Sequence, residues 1–154
     1  MPLAISILNI YGYEVKNISG RNPVIIEARY IKKVRCPFCK GDKLRKKDRY
    51  VRKLNHESIG ARKTKLYLTG YKFHCLSCSR YFNQRFPGVL KYKRSTEGFR
   101  KEVFEKHNNG HTQSYISKSL EIGTATVERW YHNFLERKVA ETKKYSCVYR
   151  IKRL

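Results

Sequence analysis

The chain has 154 residues, which is enough for one ordinary domain or two or three small ones. It carries 35 Lys and Arg against 12 Asp and Glu, and the formal net charge of +23 indicates a polyanionic partner, nucleic acid first. No apolar run approaches the ~18 residues of a membrane span. The N-terminus also lacks the basic start and cleavage site of a secretory signal. We therefore expect a cytoplasmic, nucleoid-associated protein with no membrane partner.

Residues 1–35 are predicted to form an N-terminal helix and a β-hairpin. The apolar stretch MPLAISILNI is interpreted as a short packed helix. Two β-rich runs then flank Ser19-Gly20-Arg21-Asn22-Pro23, whose residue types favour a tight turn. This hairpin leads into the first cysteine pair.

Four of the five cysteines form two pairs, each with two residues between the thiols. An odd number of cysteines in a reducing cytosol argues against a disulfide framework, whereas two C-x-x-C pairs are typical of tetrahedral Zn²⁺ sites. Four ordinary buried cysteines and an iron site of rubredoxin type are the alternatives. Cys147 is assigned no role. We predict structural zinc bound by Cys36, Cys39, Cys75 and Cys78.

The residues around the cysteines predict how each pair turns. Pro37 fixes φ in the first pair, and Gly41 is expected to take a positive φ that turns backbone N–H groups toward a thiolate. The second pair has no such glycine. Four thiolates and one Zn²⁺ leave a charge of about −2. The cations expected to offset this charge are Lys33, Arg35, Lys40 and Arg80.

The stretch between the two pairs predicts β-structure. DRYVRKL at 48–54 and ARKTKLYLTGYKFHC at 61–75 place apolar residues among charges with partial alternation. We therefore predict a Cys₄ zinc ribbon over 36–94, the most basic part of the chain, with 17 Lys and Arg against 3 Asp and Glu. His56 and His74 are interpreted as strand residues, because four sulfurs fill a tetrahedral shell. The predicted DNA phosphate contacts are Lys43, Arg45, Lys46, Lys47, Arg49, Arg52, Lys53, Arg62, Lys63 and Lys65.

From Ser95 the pattern becomes helical, and we predict a three-helix domain over 95–140. Ser95 or Thr96 is expected to cap the first helix and Thr112 the second, and the third is expected to begin at Thr124. Residues 141–154 are interpreted as a flexible basic tail. The residues expected to face inward are Phe99, Val103, Phe104, Ile116, Leu120, Val127, Trp130, Tyr131 and Phe134.

The stretch TQSYISKSLEIGTATVERWYHNF favours a helix-turn-helix. The small Ser117 suits a close crossing of two helices, and Glu121 stands where a turn glycine is usual, with Gly123 two residues later. The predicted fold class is thus α+β, a small β-hairpin and zinc ribbon followed by a three-helix helix-turn-helix domain. If the third helix enters a major groove, the predicted base contacts are Thr124, Thr126, Glu128, Arg129, His132 and Asn133, with Arg129 the strongest candidate.

Taken in order, CPFC, RYVRKLNH, KLYLTGYKFHCLSCSRYFNQRFPG and YKRST resemble the N-terminal region of the ISL-three family of insertion-sequence transposases, over roughly residues 11–147. In that family a zinc ribbon and a helix-turn-helix precede a ribonuclease-H-like domain, which cuts and joins transposon ends using divalent metal. The resemblance implies the four paired cysteines as zinc ligands and the helices at 112–138 as readers of terminal inverted repeats in double-stranded DNA. It also suggests a dimer, with itself or with a full-length transposase.

The catalytic domain of that family is expected to be missing from this chain. Family members continue past a segment like ETKKYSC into a strand with the first catalytic aspartate, whereas VYRIKRL follows Cys147 in this sequence. Metal-dependent strand transfer needs several carboxylates, and the chain has only two aspartates, Asp42 and Asp48. We therefore expect a DNA-binding, end-recognition part of a transposase that is not itself an enzyme.

Three other functions are compatible with the same residues. A truncated end-binder would regulate transposition by competing with the intact transposase or pairing with it. A basic zinc protein with interleaved Tyr and Phe also suits RNA or the ribosome. An electron-transfer iron protein is the last alternative, and it leaves the charge and the helices unexplained.

Overall fold

The computed structural model describes Leu8 and residues 10–151, with side chains as far as Glu141. Apart from Leu8 and Ile10, the N-terminal helix expected over the first ten residues lies outside the described residues. The chain divides into two compact units, Met1–Phe99 and Arg100–Leu154. Within the described part of the chain, no helix combines the length and apolarity needed to cross a bilayer.

The predicted N-terminal hairpin is confirmed. Strands β1 (Tyr13–Ser19) and β2 (Val24–Tyr30) pair antiparallel across the expected turn. Gly20 has a φ of +75°, and a Cβ there would lie 2.6 Å from the Pro23 carbonyl oxygen. The turn therefore requires glycine on both conformational and steric grounds.

The ribbon strands are confirmed, and β3 extends beyond the predicted residues 48–54 at both ends. Strands β3 (Leu44–Ile59) and β4 (Arg62–Cys75) form an antiparallel hairpin, and the short β5 (Tyr81–Asn83) pairs with the end of β4. Strand β2 pairs parallel to β4, from Val24 beside Thr64 to Arg29 beside Thr69. The strand order β1-β2-β4-β3 therefore joins the N-terminal hairpin and the ribbon in one sheet.

One face of this sheet carries the apolar core of the first unit. Even-numbered β4 residues from Thr64 to Gly70 are buried, whereas the alternate ones are half-buried. The rings of Phe86 and Tyr50 pack directly on Gly70. A Cβ at this position would clash with both, at 2.7 Å from Phe86 and 2.9 Å from Tyr50. The core residues are Leu8, Tyr13, Val24, Ile26, Ala28, Leu54, Leu66, Leu68, Phe86 and Val89.

A buried histidine connects three separate parts of the first unit. His56 Nε2 lies 3.0 Å from the Leu8 carbonyl oxygen and therefore donates to it. Its Nδ1 then accepts from the Thr96 hydroxyl at 2.9 Å, and Thr96 Oγ1 in turn accepts from the Phe99 N–H at 3.3 Å. This chain of hydrogen bonds satisfies polar groups that burial would otherwise leave unpaired.

Three helices follow the sheet: α1 (Glu97–Asn108), α2 (Gln113–Leu120) and α3 (Thr124–Ile151). The predicted caps are confirmed, because Thr96 and Thr112 accept from N–H groups three residues on. The flexible tail predicted from residue 141 is wrong as far as Ile151, where the backbone is still helical. LERKVAETKKYSCVYRI contains neither Gly nor Pro, so nothing in it stops a helix.

The second unit packs its helices around aromatic residues. The Phe104 ring stacks at 5.3 Å from Tyr131 and 5.5 Å from Phe134. Trp130, expected in the core, is only half-buried and lies under the Arg100 guanidinium at 5.2 Å. Among the side chains of this unit that the structure describes, the others that are buried are Val103, Ile116, Leu120 and Val127.

A short left-handed turn joins the last two helices. Glu121 takes a φ of +57°, and its N–H donates to the Ser117 carbonyl. The Ser117 hydroxyl donates to the Ile122 carbonyl at 2.5 Å, so the small side chain expected at the helix crossing also closes the turn. Gly123 directly precedes α3, and its carbonyl accepts from the N–H groups of Thr126 and Val127 in the first turn.

Replacing His56 by Ala is expected to destabilise the protein by about 3 kcal/mol or more, because the change leaves a cavity and two unpaired polar groups. His74→Ala is the matched control: this second strand histidine is half-buried and stacks on Tyr81 at 4.4 Å, so its loss should cost about 1 kcal/mol or less. Urea unfolding of the zinc-loaded proteins measures both. Equal losses would contradict the buried network.

Candidate zinc centre and nucleic-acid interface

The strand register brings the two cysteine pairs together. The first pair ends just before β3, the second begins at the last residue of β4, and Leu44 pairs with Cys75 in the antiparallel ladder. The Leu76 N–H also donates to the Lys43 carbonyl at 2.9 Å. Residues almost forty positions apart in sequence are thus fixed at one end of the hairpin.

The four sulfurs have the spacing that a tetrahedral metal requires. Cys36 Sγ lies 3.7 Å from Cys78 Sγ, and Cys39 Sγ lies 3.5 Å from Cys75 Sγ. All four ligand atoms lie within 4.8 Å of one another. A tetrahedron with Zn–S bonds of about 2.3 Å has S···S edges of about 3.8 Å. Four cysteine thiols at this spacing make this a structural zinc site.

The two knuckles, Cys36–Gly41 and Cys75–Arg80, have equivalent backbones. In each, the N–H of the first residue bonds the carbonyl of the last at 2.9 Å. The residue after the second cysteine is left-handed in both, Lys40 at φ +61° and Ser79 at φ +54°. The expectation of a positive φ at Gly41 is therefore wrong. A Cβ at Gly41 would lie 3.2 Å from Cys39 Sγ, so the glycine provides close approach instead.

Backbone N–H groups make these thiols good metal ligands. The N–H of Cys78 points at Cys75 Sγ and lowers the pKa of Cys75 to about 6, against the opposing effect of burial. The N–H of Arg80 also favours the thiolate of Cys78, but burial and the neighbouring Cys36 together raise the pKa of Cys78 to about 12. The thiolates that form first therefore disfavour ionisation of the remaining thiols, because the negative charges repel one another. A divalent cation removes that repulsion.

Three of the four cations expected to offset the charge of the centre have other partners. Lys33 forms an ion pair with Asp42 at 2.8 Å, and Lys40 Nζ lies 3.4 Å from the Pro37 carbonyl. The Arg80 guanidinium lies 4.9 Å from the centre of the Phe38 ring. His56 and His74 do not belong to the metal cluster, as predicted.

The sequence of residues 32–78 matches the family described as the zinc-finger of transposase IS204/IS1001/IS1096/IS1165. These residues form a transposase-type zinc ribbon. The match covers less than a third of the chain, and it confirms the ribbon part of the resemblance. No curated protein and no solved structure is significantly similar to the chain.

The ten predicted phosphate contacts lie along the ribbon in separate groups. Arg45 pairs with His74 beside the zinc centre, whereas Arg62 pairs with Ile59 at the opposite turn, about 40 Å away along β4. Arg52 differs from the others, because its guanidinium donates to the carbonyls of Leu90 at 3.3 Å and Lys93 at 2.6 Å. These two hydrogen bonds hold residues 90–93 beside β3. By the strand register, the contacts that face away from the core include Lys46, Arg49, Lys53 and Lys65.

The six predicted base contacts lie on the first three turns of α3. Five of them are exposed and Thr126 is half-buried. The inward positions Val127, Trp130, Tyr131 and Phe134 occupy the opposite side, so these six form one solvent-facing surface at the start of the helix. The exposed residues are Thr124, Glu128, Arg129, His132 and Asn133.

A second basic surface of the first unit was not predicted from the sequence. An open groove of about 1230 Å³ lies between residues 33–38, the middle of β3 at residues 50–53 and residues 81–94. We call it the 81–94 groove. The sequence indicates this surface only through the stretch YFNQRFPGVLKYKR, in which aromatic and basic residues are interleaved. Their spacing matches neither the strand period nor the helix period.

Zinc should bind at one ion per chain, and Cys78→Ser should abolish stoichiometric binding because a hydroxyl is a poor fourth ligand. Cys147→Ser is the matched control and should keep one zinc. Elemental analysis of the purified variants gives the stoichiometry, and cobalt substitution reports tetrahedral thiolate ligation. Loss of zinc in Cys147→Ser, or retention in Cys78→Ser, would contradict the four-ligand assignment.

Proposed function

We propose that this protein binds double-stranded DNA as the end-recognition part of a transposase and recognises the terminal inverted repeats of an insertion sequence. The observation that carries the proposal is the transposase-type zinc ribbon at residues 32–78. Fold alone does not define a function, but the family that this ribbon matches is described as a zinc-finger of transposases. The net charge of +23 supports the same partner.

In this proposal the ribbon supplies affinity through phosphate contacts. Two of its exposed cations lie on the sheet face opposite the core and contact rings rather than carboxylates: Lys46 Nζ lies 4.5 Å from the Tyr71 ring centre, and Lys53 Nζ lies 5.3 Å from that of Tyr67. A ring leaves the formal charge of a lysine uncompensated. These cations therefore remain available for phosphate oxygens, which carry no sequence information.

The second unit supplies specificity in this proposal, as a helix-turn-helix. Support comes from the eight-residue α2, the three-residue turn with left-handed Glu121, and the exposed start of α3. These are the features of a motif whose second helix reads base edges in the major groove. Arg129 is the leading base contact, since a bidentate arginine to guanine is the commonest specific contact.

The proposed role is binding without strand transfer. The chain's two aspartates lie in the ribbon, where Asp42 is already engaged by Lys33. In the described part of the chain, the four cysteines are the group of potential metal ligands that converges. Thiolates favour zinc over the Mg²⁺ that phosphoryl transfer uses.

The test is selection of duplexes with a randomised core by the zinc-loaded protein near physiological salt. We expect an enriched motif, and Arg129→Ala should lose about 1–3 kcal/mol on that motif and relax specificity at one position. Equal losses on the motif and on random duplex would contradict the assignment of α3 as the reading helix.

The control for this experiment is Lys47→Ala, a variant of an exposed ribbon cation. It should weaken binding to all duplexes alike and reduce the salt dependence, because one phosphate contact releases about one counterion. No enriched motif, together with tighter binding to structured RNA than to any duplex, would reject the proposed function in favour of an RNA-binding one.

A further inference from the structure

The 81–94 groove has the composition of a nucleic-acid site. Nine of the residues that line it are Lys or Arg, and none is Asp or Glu. In the described part of the chain, Lys33 is the one of these nine that forms an ion pair. The groove therefore keeps a concentrated positive charge, and it lies outside the zinc ligands and outside α3.

Exposed aromatic rings stand at the groove, each beside a cation. Phe38, Tyr81 and Tyr92 are 52%, 53% and 83% exposed. Lys72 Nζ lies 5.7 Å from the Tyr81 ring centre, and Lys91 Nζ lies 4.7 Å from that of Tyr92. One face of the Tyr81 ring stacks on His74 at 4.4 Å. The rest of that ring and most of the Tyr92 ring lie in water beside cations, where a base can stack next to a partner for its phosphate.

The segment that carries Lys91 and Tyr92 is held in place. Arg52 bonds the carbonyls of Leu90 and Lys93, and the Asn55 N–H donates to the Arg94 carbonyl at 2.9 Å. Tyr92 has a φ of +62°, a conformation that non-glycine residues rarely adopt. An unfavourable backbone that turns a ring into solvent is typical of a binding site.

We propose that the 81–94 groove binds single-stranded DNA. A duplex keeps its bases stacked and paired, so it offers phosphates but no base faces to Tyr81 and Tyr92. A single strand offers both, and rings alternating with cations are how proteins hold it without sequence preference. The choice of DNA over RNA rests on the proposed function; the stacking site itself does not depend on α3.

The experiment measures binding of the zinc-loaded full chain to a fluorescent single strand of about 20 nucleotides, longer than the ~4–16 that one binding fold covers. The same sequence is tested as a duplex and as RNA. The variant is Tyr81→Ala with Tyr92→Ala, and Tyr81→Phe with Tyr92→Phe keeps both rings. The matched control is Tyr11→Ala, a 70% exposed tyrosine under Lys32 that does not line the groove.

We expect the double alanine variant to lose about 25-fold or more in affinity for the single strand, with duplex binding changed by less than about threefold. The phenylalanine variant and Tyr11→Ala should bind like the unmodified chain. Because both tyrosines are more than half exposed, zinc content should stay at one ion per chain. The free energy of unfolding should fall by no more than in His74→Ala, which loses the same Tyr81–His74 stack. Arg129→Ala should leave single-strand binding intact, so this proposal and the reading of α3 fail separately.

Three outcomes would overturn the proposal. The first is unchanged single-strand affinity in the double alanine variant. The second is an equal loss on single strand and duplex, which would reduce the groove to a general phosphate surface. The third is binding of RNA more than about tenfold tighter than DNA, which would replace the assigned partner.

Discussion

The tetrathiolate centre is the constraint on which the ribbon depends. The apolar core of the first unit lies along the middle of the sheet and includes no residue of either knuckle. At the zinc end of β4, only Phe73 and Cys75 are buried. Too little apolar surface is available there to offset the conformational entropy of two knuckles, so the metal supplies the missing free energy. The metal centre at this end of the sheet therefore fixes the positions of both knuckles and of β5.

The same region concentrates positive charge, and the fold accommodates it without neutralising it. With 12 acidic residues against 35 basic ones, most cations cannot find a carboxylate. Lys46, Lys53, Lys72 and Lys91 instead lie on tyrosine rings. These contacts orient the side chains at little cost in solvation and keep the charge. The repulsion that remains opposes folding of the isolated protein and falls when a polyanion binds.

Local chemistry made much of this structure predictable from sequence. The cysteine spacing, the turn around Gly20, the caps at Thr96 and Thr112 and the start of α3 each depend on a few neighbouring residues. The parallel pairing of β2 with β4 was not predictable, because no short motif indicates a contact between residues forty positions apart in the sequence. The hydrogen bonds of Arg52 were not predictable for a similar reason: its partners are carbonyls in a segment of irregular structure, and its charge alone suggested a phosphate.

Two units with separate nucleic-acid surfaces have a thermodynamic consequence under the proposed function. When two modules are connected by a short chain, binding of the second becomes intramolecular, at an effective concentration in the millimolar range. Each surface can then bind weakly by itself while the whole chain binds tightly. A weak reading helix discriminates between sequences by the same free-energy difference whether or not the ribbon adds affinity, because phosphate contacts are common to all sequences. Under the proposed function, the ribbon therefore sets how tightly the protein binds any DNA, and α3 sets which sequence it prefers.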